Sequence, residues 1–307
     1  MKILDNEELQ RMVDYSFGDH SGVLGGVPNA YMRKANIHNA DFMDSVESHE
    51  GTMTLFIDNI RLYKRPLEYS DWLHMKHISP QDRVWLAQFQ DEDLLELCSL
   101  FPYKKFVIFT AFEDTPLDDF IWDRIPDNVA SINAANAVVF GGKVRPFPHG
   151  IERKMHIGYE RHEILRDYIE DNTEATKTLF ICHRDDTGAR GSIRDIFRDR
   201  EWATVSPKLD YEPYLQGIKD HRFVLCPSGN GIESARNWET LYMRRVPVFK
   251  RHPYLEEMFK DVPAIFVDEW KEVTEQLLKD SEHLYQKALT LDYSKMLDLD
   301  YQFKSRI

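Results

Sequence analysis

The chain has 307 residues, 42% of them hydrophobic and 30% charged, which suits about two globular domains. Its net charge of −13 argues against non-specific nucleic-acid binding. No apolar run approaches the ~20 residues of a membrane span. Cys98, Cys182 and Cys226 lie too far apart for a disulfide framework or a zinc spacing. The opening segment MKILDNEELQRM lacks the apolar core of a signal peptide. Together these features lead us to expect a reducing, cytoplasmic setting, with no membrane partner.

Residues 1–15 fit a short helix or a lead-in strand equally well. Residues 17–28 (FGDHSGVLGGVP) hold four glycines. They read either as tight turns or as a loop that reaches a ligand, with Asp19 and His20 in it; His20 is a candidate base because imidazole titrates near neutrality. Residues 52–57 (TMTLFI) predict a strand ending at Asp58. Polar groups just past the carboxyl ends of parallel strands face a ligand crevice, although Asp58 would equally serve as a helix cap. Asp91 and Asp93 superficially resemble a metal-binding pair but sit at a helix start, where acidic residues suit the dipole.

Residues 106–109 (FVIF) predict the strongest strand of the first half, followed by TAFED, which closes on Asp114. By itself Asp114 reads as a helix cap. A further strand is expected near 129–132. Residues 143–151 (KVRPFPHGI) read as a stiff exit from a first domain.

The second half opens with a helix over 160–170 and a strand over 178–181. A polar loop with Arg184 and Arg190 follows, and each arginine alone reads as surface charge. A charged helix is expected over 194–200. Tyr211 and Tyr214 read as helix packing. Residues 223–225 form a short apolar run, and CPSGNG breaks the pattern at 226–231. A helix is expected from Ile232, with Ala235, Trp238, Leu241 and Tyr242 on one arc and Glu233, Arg236, Glu239 and Thr240 on the other. Residues 246–249 (VPVF) return as a strand, so the unit is strand, glycine loop, helix, strand, normally a parallel right-handed crossover. Its chemistry is anion capture. Backbone N–H groups around Ser228, Gly229, Asn230, Gly231 and Ile232 suit phosphate, Arg236 adds a fixed positive fork, and Glu239 offers two acceptor oxygens to a ribose diol. An Arg–Glu pair on a solvated helix face is the plainer account of the last two. A final strand is expected over 263–267, with helices beyond it. No metal-ligand cluster is visible.

The string FVLCPSGNGIE at 223–233, RNWE at 236–239 and VPV at 246–248 resembles the exostosin-like glycosyltransferases, whose nucleotide-binding half carries these features in this order. Thinner, collinear similarity touches 56–60, 109–114, Asn136, 148–151 and 262–270. Cys226 stands where relatives often have Ser, and residues 243–245 (MRR) replace a Gly-Cys type turn.

The resemblance implies the α/β GT-B fold: two Rossmann-like domains with parallel sheets facing a central cleft. Residues 1–150 would form an acceptor-side domain and 151–289 a nucleotide-sugar domain, with a C-terminal helix, 290–307, crossing back. It implies an enzyme that moves a sugar from a nucleotide-sugar donor, UDP-linked in our reading, to an acceptor hydroxyl with inversion. No cofactor or metal is expected. Glu233, Arg236, Glu239 and the glycine loop would hold the donor, Arg184 and Arg190 would join Arg236 on the diphosphate, and Asp114 would act as base, with Asp58, Asp19 and His20 as alternatives. The expected acceptor is a glycan, met by platforms such as Tyr31, Phe112 and Trp122. A hydroxymethylated pyrimidine in phage DNA is the alternative, and it would need a basic groove drawn from Lys143, Arg145, Arg153, Lys154, Arg161, Arg244, Arg245, Lys250 and Arg251. A non-catalytic nucleotide- or sugar-binding module is a third reading.

Overall fold

Runs of Val, Ile, Leu and Phe too short for helices, each closed by polar or glycine-rich residues, set the strands of this protein. A computed structural model describes residues 1–17, 40–57, 62, 93–110, 117–151, 159–171, 173–183, 190, 192–229 and 231–307. It has two units. The N-terminal unit comprises Asp5–His149 and Gln302–Ile307; the C-terminal unit comprises Met1–Leu4 and Gly150–Tyr301. Each holds one five-stranded, wholly parallel sheet, so the fold is α/β with two Rossmann-like sheets.

In the N-terminal unit the strands are β1 (Tyr15–Ser16), β2 (Thr52–Ile57), β3 (Lys105–Thr110), β4 (Val129–Ala134) and β5 (Val144–Pro146). They lie side by side in chain order. β2 and β3 are buried over nearly their whole length, as continuous apolar runs in a covered parallel sheet must be. β1 has two residues, and Asp14 fastens it: its carboxylate accepts from the Thr54 amide and hydroxyl, both at 2.7 Å. Phe109 packs against Phe147 and against Phe303 of the returning C-terminal segment, at 5.2 and 5.1 Å between ring centres. Asp93 caps the Leu94–Ser99 helix, accepting from the Glu96 amide at 2.8 Å, as its position at a helix start implies. β5 lies within the stretch expected to be a connector. An edge strand of three residues ending in proline gives almost no signal in a sequence.

In the C-terminal unit the strands are β6 (Lys177–Cys182), β7 (Ala203–Ser206), β8 (His221–Leu225), β9 (Val246–Lys250) and β10 (Ile265–Val267). Their spatial order is β10-β9-β8-β6-β7. The chain runs from β6 to β7 on one side, then places β8 on the other side of β6. β6 and β8 are therefore hydrogen-bonded neighbours whose outgoing connections leave in opposite directions. Leu179, Ile181, Phe223, Leu225, Val246 and Val248 fill the core. The Tyr211–Asp220 helix lies close on β6 because Gly217 carries no side chain; a Cβ there would overlap the Phe180 ring. The first residues of the chain complete this unit. The Leu4 amide donates to the Tyr242 hydroxyl at 2.6 Å, and the Leu4 carbonyl accepts from Ile151 at 3.0 Å.

Candidate active site

The carboxyl ends of β6 and β8 are where connections diverge, and a parallel sheet opens its ligand crevice at such a point. Cys182 ends β6, and Leu225 ends β8. The glycine loop follows β8 directly. Its first residue, Cys226, donates its amide to Val248 at 2.9 Å, so the loop leaves the sheet from a fixed point. Burial pushes the Cys226 thiol up to about 12, which keeps it protonated.

Arg190 shapes the loop. Its Nε donates to the Ser228 carbonyl at 2.6 Å and its Nη2 to the Pro227 carbonyl at 3.1 Å, with the residue 7% exposed. A Cβ on Gly229 would stand 2.9 Å from that Nη2, so only glycine lets the arginine lie this close. The Ser228 hydroxyl donates to the Ile232 carbonyl at 2.9 Å, and the Gly229 amide to the Gly231 carbonyl at 3.0 Å. Arg190 thus brings its charge to the loop while spending two of its donors on the loop backbone.

The helix expected from Ile232 runs over Ala235–Tyr242. The preceding residues turn on Glu233, which is buried and accepts from the Trp238 indole at 3.2 Å and the Tyr254 hydroxyl at 2.9 Å. Glu233 therefore ties the end of the loop to two aromatic side chains.

Arg236 lies in the first turn of that helix. Its Nε and Nη1 are buried and make no hydrogen bond. The guanidinium stands 6.0 Å from the centre of the Tyr214 ring. Burial disfavours its charge, but its polar and acidic surroundings, Glu239 among them, outweigh that, and its pKa is raised. Glu239, 3% exposed, does not answer those two nitrogens. Its Oε1 accepts from the Tyr211 hydroxyl at 3.1 Å and its Oε2 from the Tyr214 hydroxyl at 2.7 Å. Burial and the neighbouring Glu239 raise the Tyr214 pKa well above 10, so the phenol donates. The solvated Arg–Glu face is thus corrected: Asn237, Trp238, Glu239, Thr240, Leu241 and Tyr242 are all buried.

The structure brings Arg190, Ser228, Gly229, Gly231, Ile232, Glu233, Arg236 and Glu239 together at one edge of the C-terminal sheet. Arg184 and Asn230, and the candidate bases Asp19, His20, Asp58 and Asp114, lie outside the described residues. Tyr211 and Tyr214 belong to the site beyond their expected packing role. The available signal was their spacing of three at the start of a helix that follows a strand end.

Of the candidate groove residues, Arg245 and Arg244 are engaged within the fold, and Lys250 and Arg251 sit in surface ion pairs. Arg245 is buried and donates to the Lys219, Met243 and Thr173 carbonyls. Arg244 caps the Leu289 and Leu291 carbonyls at 3.1 and 3.0 Å. Lys250 pairs with Glu269 and Arg251 with Asp268 and Glu256. Lys143 donates to the Pro126 and Asp127 carbonyls. Arg153, Lys154 and the Arg161 side chain lie outside the described residues, as do Tyr31 and Phe112 among the candidate platforms; Trp122 is 42% exposed.

In the N-terminal unit, the Thr110 hydroxyl and the side-chain Oδ1 of Asn133 are buried at the carboxyl ends of β3 and β4 without a hydrogen-bond partner. Among the described residues, no group of three or more His, Cys, Asp or Glu is placed to hold a metal ion, and no helix is long and apolar enough to cross a membrane.

No family model matches the chain, and no curated protein matches it. Among solved structures, the chain is similar to the crystal structure of an alpha1,3-fucosyltransferase, with 12% identity and a TM-score of 0.37. The similarity covers 62% of this chain and 66% of the other, just under two thirds of its length.

Proposed function

We propose that this protein is a nucleotide-sugar-dependent glycosyltransferase whose C-terminal unit binds the donor. The observation that carries the proposal is Arg236: a charged guanidinium with two buried, unpartnered nitrogens, beside a glycine loop, at the point where strand order reverses. Burying two N–H groups of a cation without hydrogen bonds is costly, and a site that keeps them so is fitted to an anion supplied from outside. A nucleoside diphosphate meets that need. Arg190 adds positive potential through the loop it braces, and the resemblance in sequence supplies the sugar.

The reaction is one displacement. The acceptor hydroxyl oxygen bonds to the anomeric carbon, and the bond from that carbon to the diphosphate oxygen breaks. The electron pair leaves with the diphosphate, which Arg236 stabilises. The hydroxyl proton passes to a base, for which Asp114 is our candidate, four residues beyond the end of β3, with Asp58, Asp19 and His20 as alternatives. We favour inversion, a UDP-linked donor and no metal. We favour a glycan over modified DNA as acceptor, because the net charge is −13 and because Arg244 and Arg245 are occupied within the fold.

The test measures nucleotide release from a panel of nucleotide sugars, with oligosaccharides or hydroxymethylcytosine DNA as acceptors. Release with a glycan is expected. Arg236→Ala should weaken nucleoside diphosphate binding about 10- to 100-fold, since hydrogen bonds to a charged group contribute roughly 1.5–3 kcal/mol. Wild-type affinity in that variant would remove the donor site from this edge of the sheet. Asp114→Asn should lose transfer and keep donor binding; transfer at the wild-type rate would move the base elsewhere.

A further inference from the structure

Arg236 and Glu239 stand three residues apart on one helix, a spacing at which opposite charges meet on a helix surface. Away from bulk water their attraction is strengthened. The expected product is an ion pair that would fill the guanidinium and close the site. Neither Nε nor Nη1 of Arg236 makes it. The carboxylate is turned instead to two phenols on the Tyr211–Asp220 helix, which hold one oxygen each at 3.1 and 2.7 Å. Tyr214 serves twice, donating its hydroxyl to Glu239 and standing with its ring 6.0 Å from the Arg236 guanidinium. That contact gives the cation some compensation without using its N–H groups.

We propose that Tyr211 and Tyr214 are positioning residues: their hydroxyls hold Glu239 off Arg236 and so keep the guanidinium open for the diphosphate of the donor. The inference rests on the donor-site reading above and adds the means by which the site stays unfilled without a ligand. The arrangement explains two facts together, a buried carboxylate that accepts from two phenols and a half-buried cation left without hydrogen bonds at two buried nitrogens. It also predicts a sign. Removing the phenol oxygens frees Glu239 to compete with the ligand, so the defect should disappear when the carboxylate is neutralised.

Inorganic pyrophosphate, which has no ribose, base or sugar, is the probe, and its affinity is measured by calorimetry on the full chain. Wild type should bind it and Arg236→Ala should not. The double variant Tyr211→Phe/Tyr214→Phe should bind about tenfold more weakly, the size of one charge-assisted hydrogen bond. Adding Glu239→Gln to that double variant should bring affinity back towards wild type. A role confined to packing would give no such rescue. If wild type ignores pyrophosphate, or Arg236→Ala binds it equally, the donor-site reading falls and this inference with it. If those two behave as expected but the double variant binds like wild type, or the triple variant stays as weak as the double, only the tyrosine inference is overturned. Should the double variant fail to fold, Tyr214→Phe with and without Glu239→Gln is judged by the same two outcomes.

Discussion

In the N-terminal unit the strands follow one another across the sheet in chain order, from β1 to β5. In the C-terminal unit β8 doubles back past β6, so the first strand ends with a neighbour on each side. Both sheets are parallel and five strands wide, and both are built from short runs of Val, Ile, Leu and Phe. Where order never reverses, each outgoing connection follows the last in the same direction. Where it reverses, two neighbouring connections part and leave room between them. Arg236, with two buried nitrogens that make no hydrogen bond, lies where the order reverses; among the described residues of the other unit, Thr110 and Asn133 bury neutral side-chain oxygens that make none. Path as well as composition thus distinguishes the two sheets.

The largest expected effect tests whether the two regions separate. Phe109 is fully buried in the first sheet. Phe109→Ala should cost about 3–5 kcal/mol of stability through lost burial and the cavity left behind. Below the new melting temperature, nucleoside diphosphate affinity should be unchanged. A parallel loss of affinity would mean that nucleotide binding depends on the first sheet as well.

The next effect is confined to the second sheet. His221, 1% exposed at the start of β8, donates from Nδ1 to Gly217 at 2.6 Å and accepts at Nε2 from Thr204 at 2.7 Å. Burial lowers its pKa from 6.5 to about 4. The unfolded chain therefore binds a proton more readily than the folded one. The resulting stability is present above pH 6.5 and is lost as pH falls from there towards 4, by up to about 3 kcal/mol. Denaturant unfolding across that window should show the loss, and His221→Gln should flatten it. Identical pH slopes in both proteins would refute the assignment.

The smallest effect sharpens the account of the loop. Gly229→Ala sets a methyl against Arg190 Nη2, which must give way and loosen its hold on Pro227. The expected cost is about 1 kcal/mol, with a weaker nucleotide-induced rise in melting temperature. Pairing it with Arg190→Met should give less than the sum of the two costs, because the clash is then already gone. Strict additivity would mean that the arginine and the glycine act independently.

Much of the fold was legible because continuous apolar runs mark buried parallel strands: 52–57 was read with its observed limits, and 178–181, 223–225 and 246–249 each lie inside an observed strand. β1 and β5 have two and three residues and carry no such signal. The order strand, glycine loop, helix, strand was legible; the enclosure of its helix was not. A helix with apolar residues on one arc and Glu233, Arg236, Glu239 and Thr240 on the other reads as half wet. This one is enclosed, with tyrosines from another helix on its polar side and Trp238 and Tyr254 on Glu233. Periodicity reports that a face is polar but not what it meets. The late helix start has a related cause: Gly231 and Ile232 continue the bend of the loop, and the regular turn begins only at Ala235.

The exchange of chain ends between the units bears on how the protein folds. Residues 1–4 complete the unit built on 150–301, and residues 302–307 complete the other. The contact of Leu4 with Ile151 and Tyr242 therefore closes a loop that contains nearly the whole N-terminal unit. In an unstructured chain, closing a loop of that length carries a substantial entropy cost, which grows with the logarithm of length. Folding of residues 5–149 first would draw the loop short before it has to close. The expected order of assembly is thus N-terminal sheet, then capture of the leading segment by the second unit, and refolding rate should respond more to changes in β2 and β3 than to changes at Leu4.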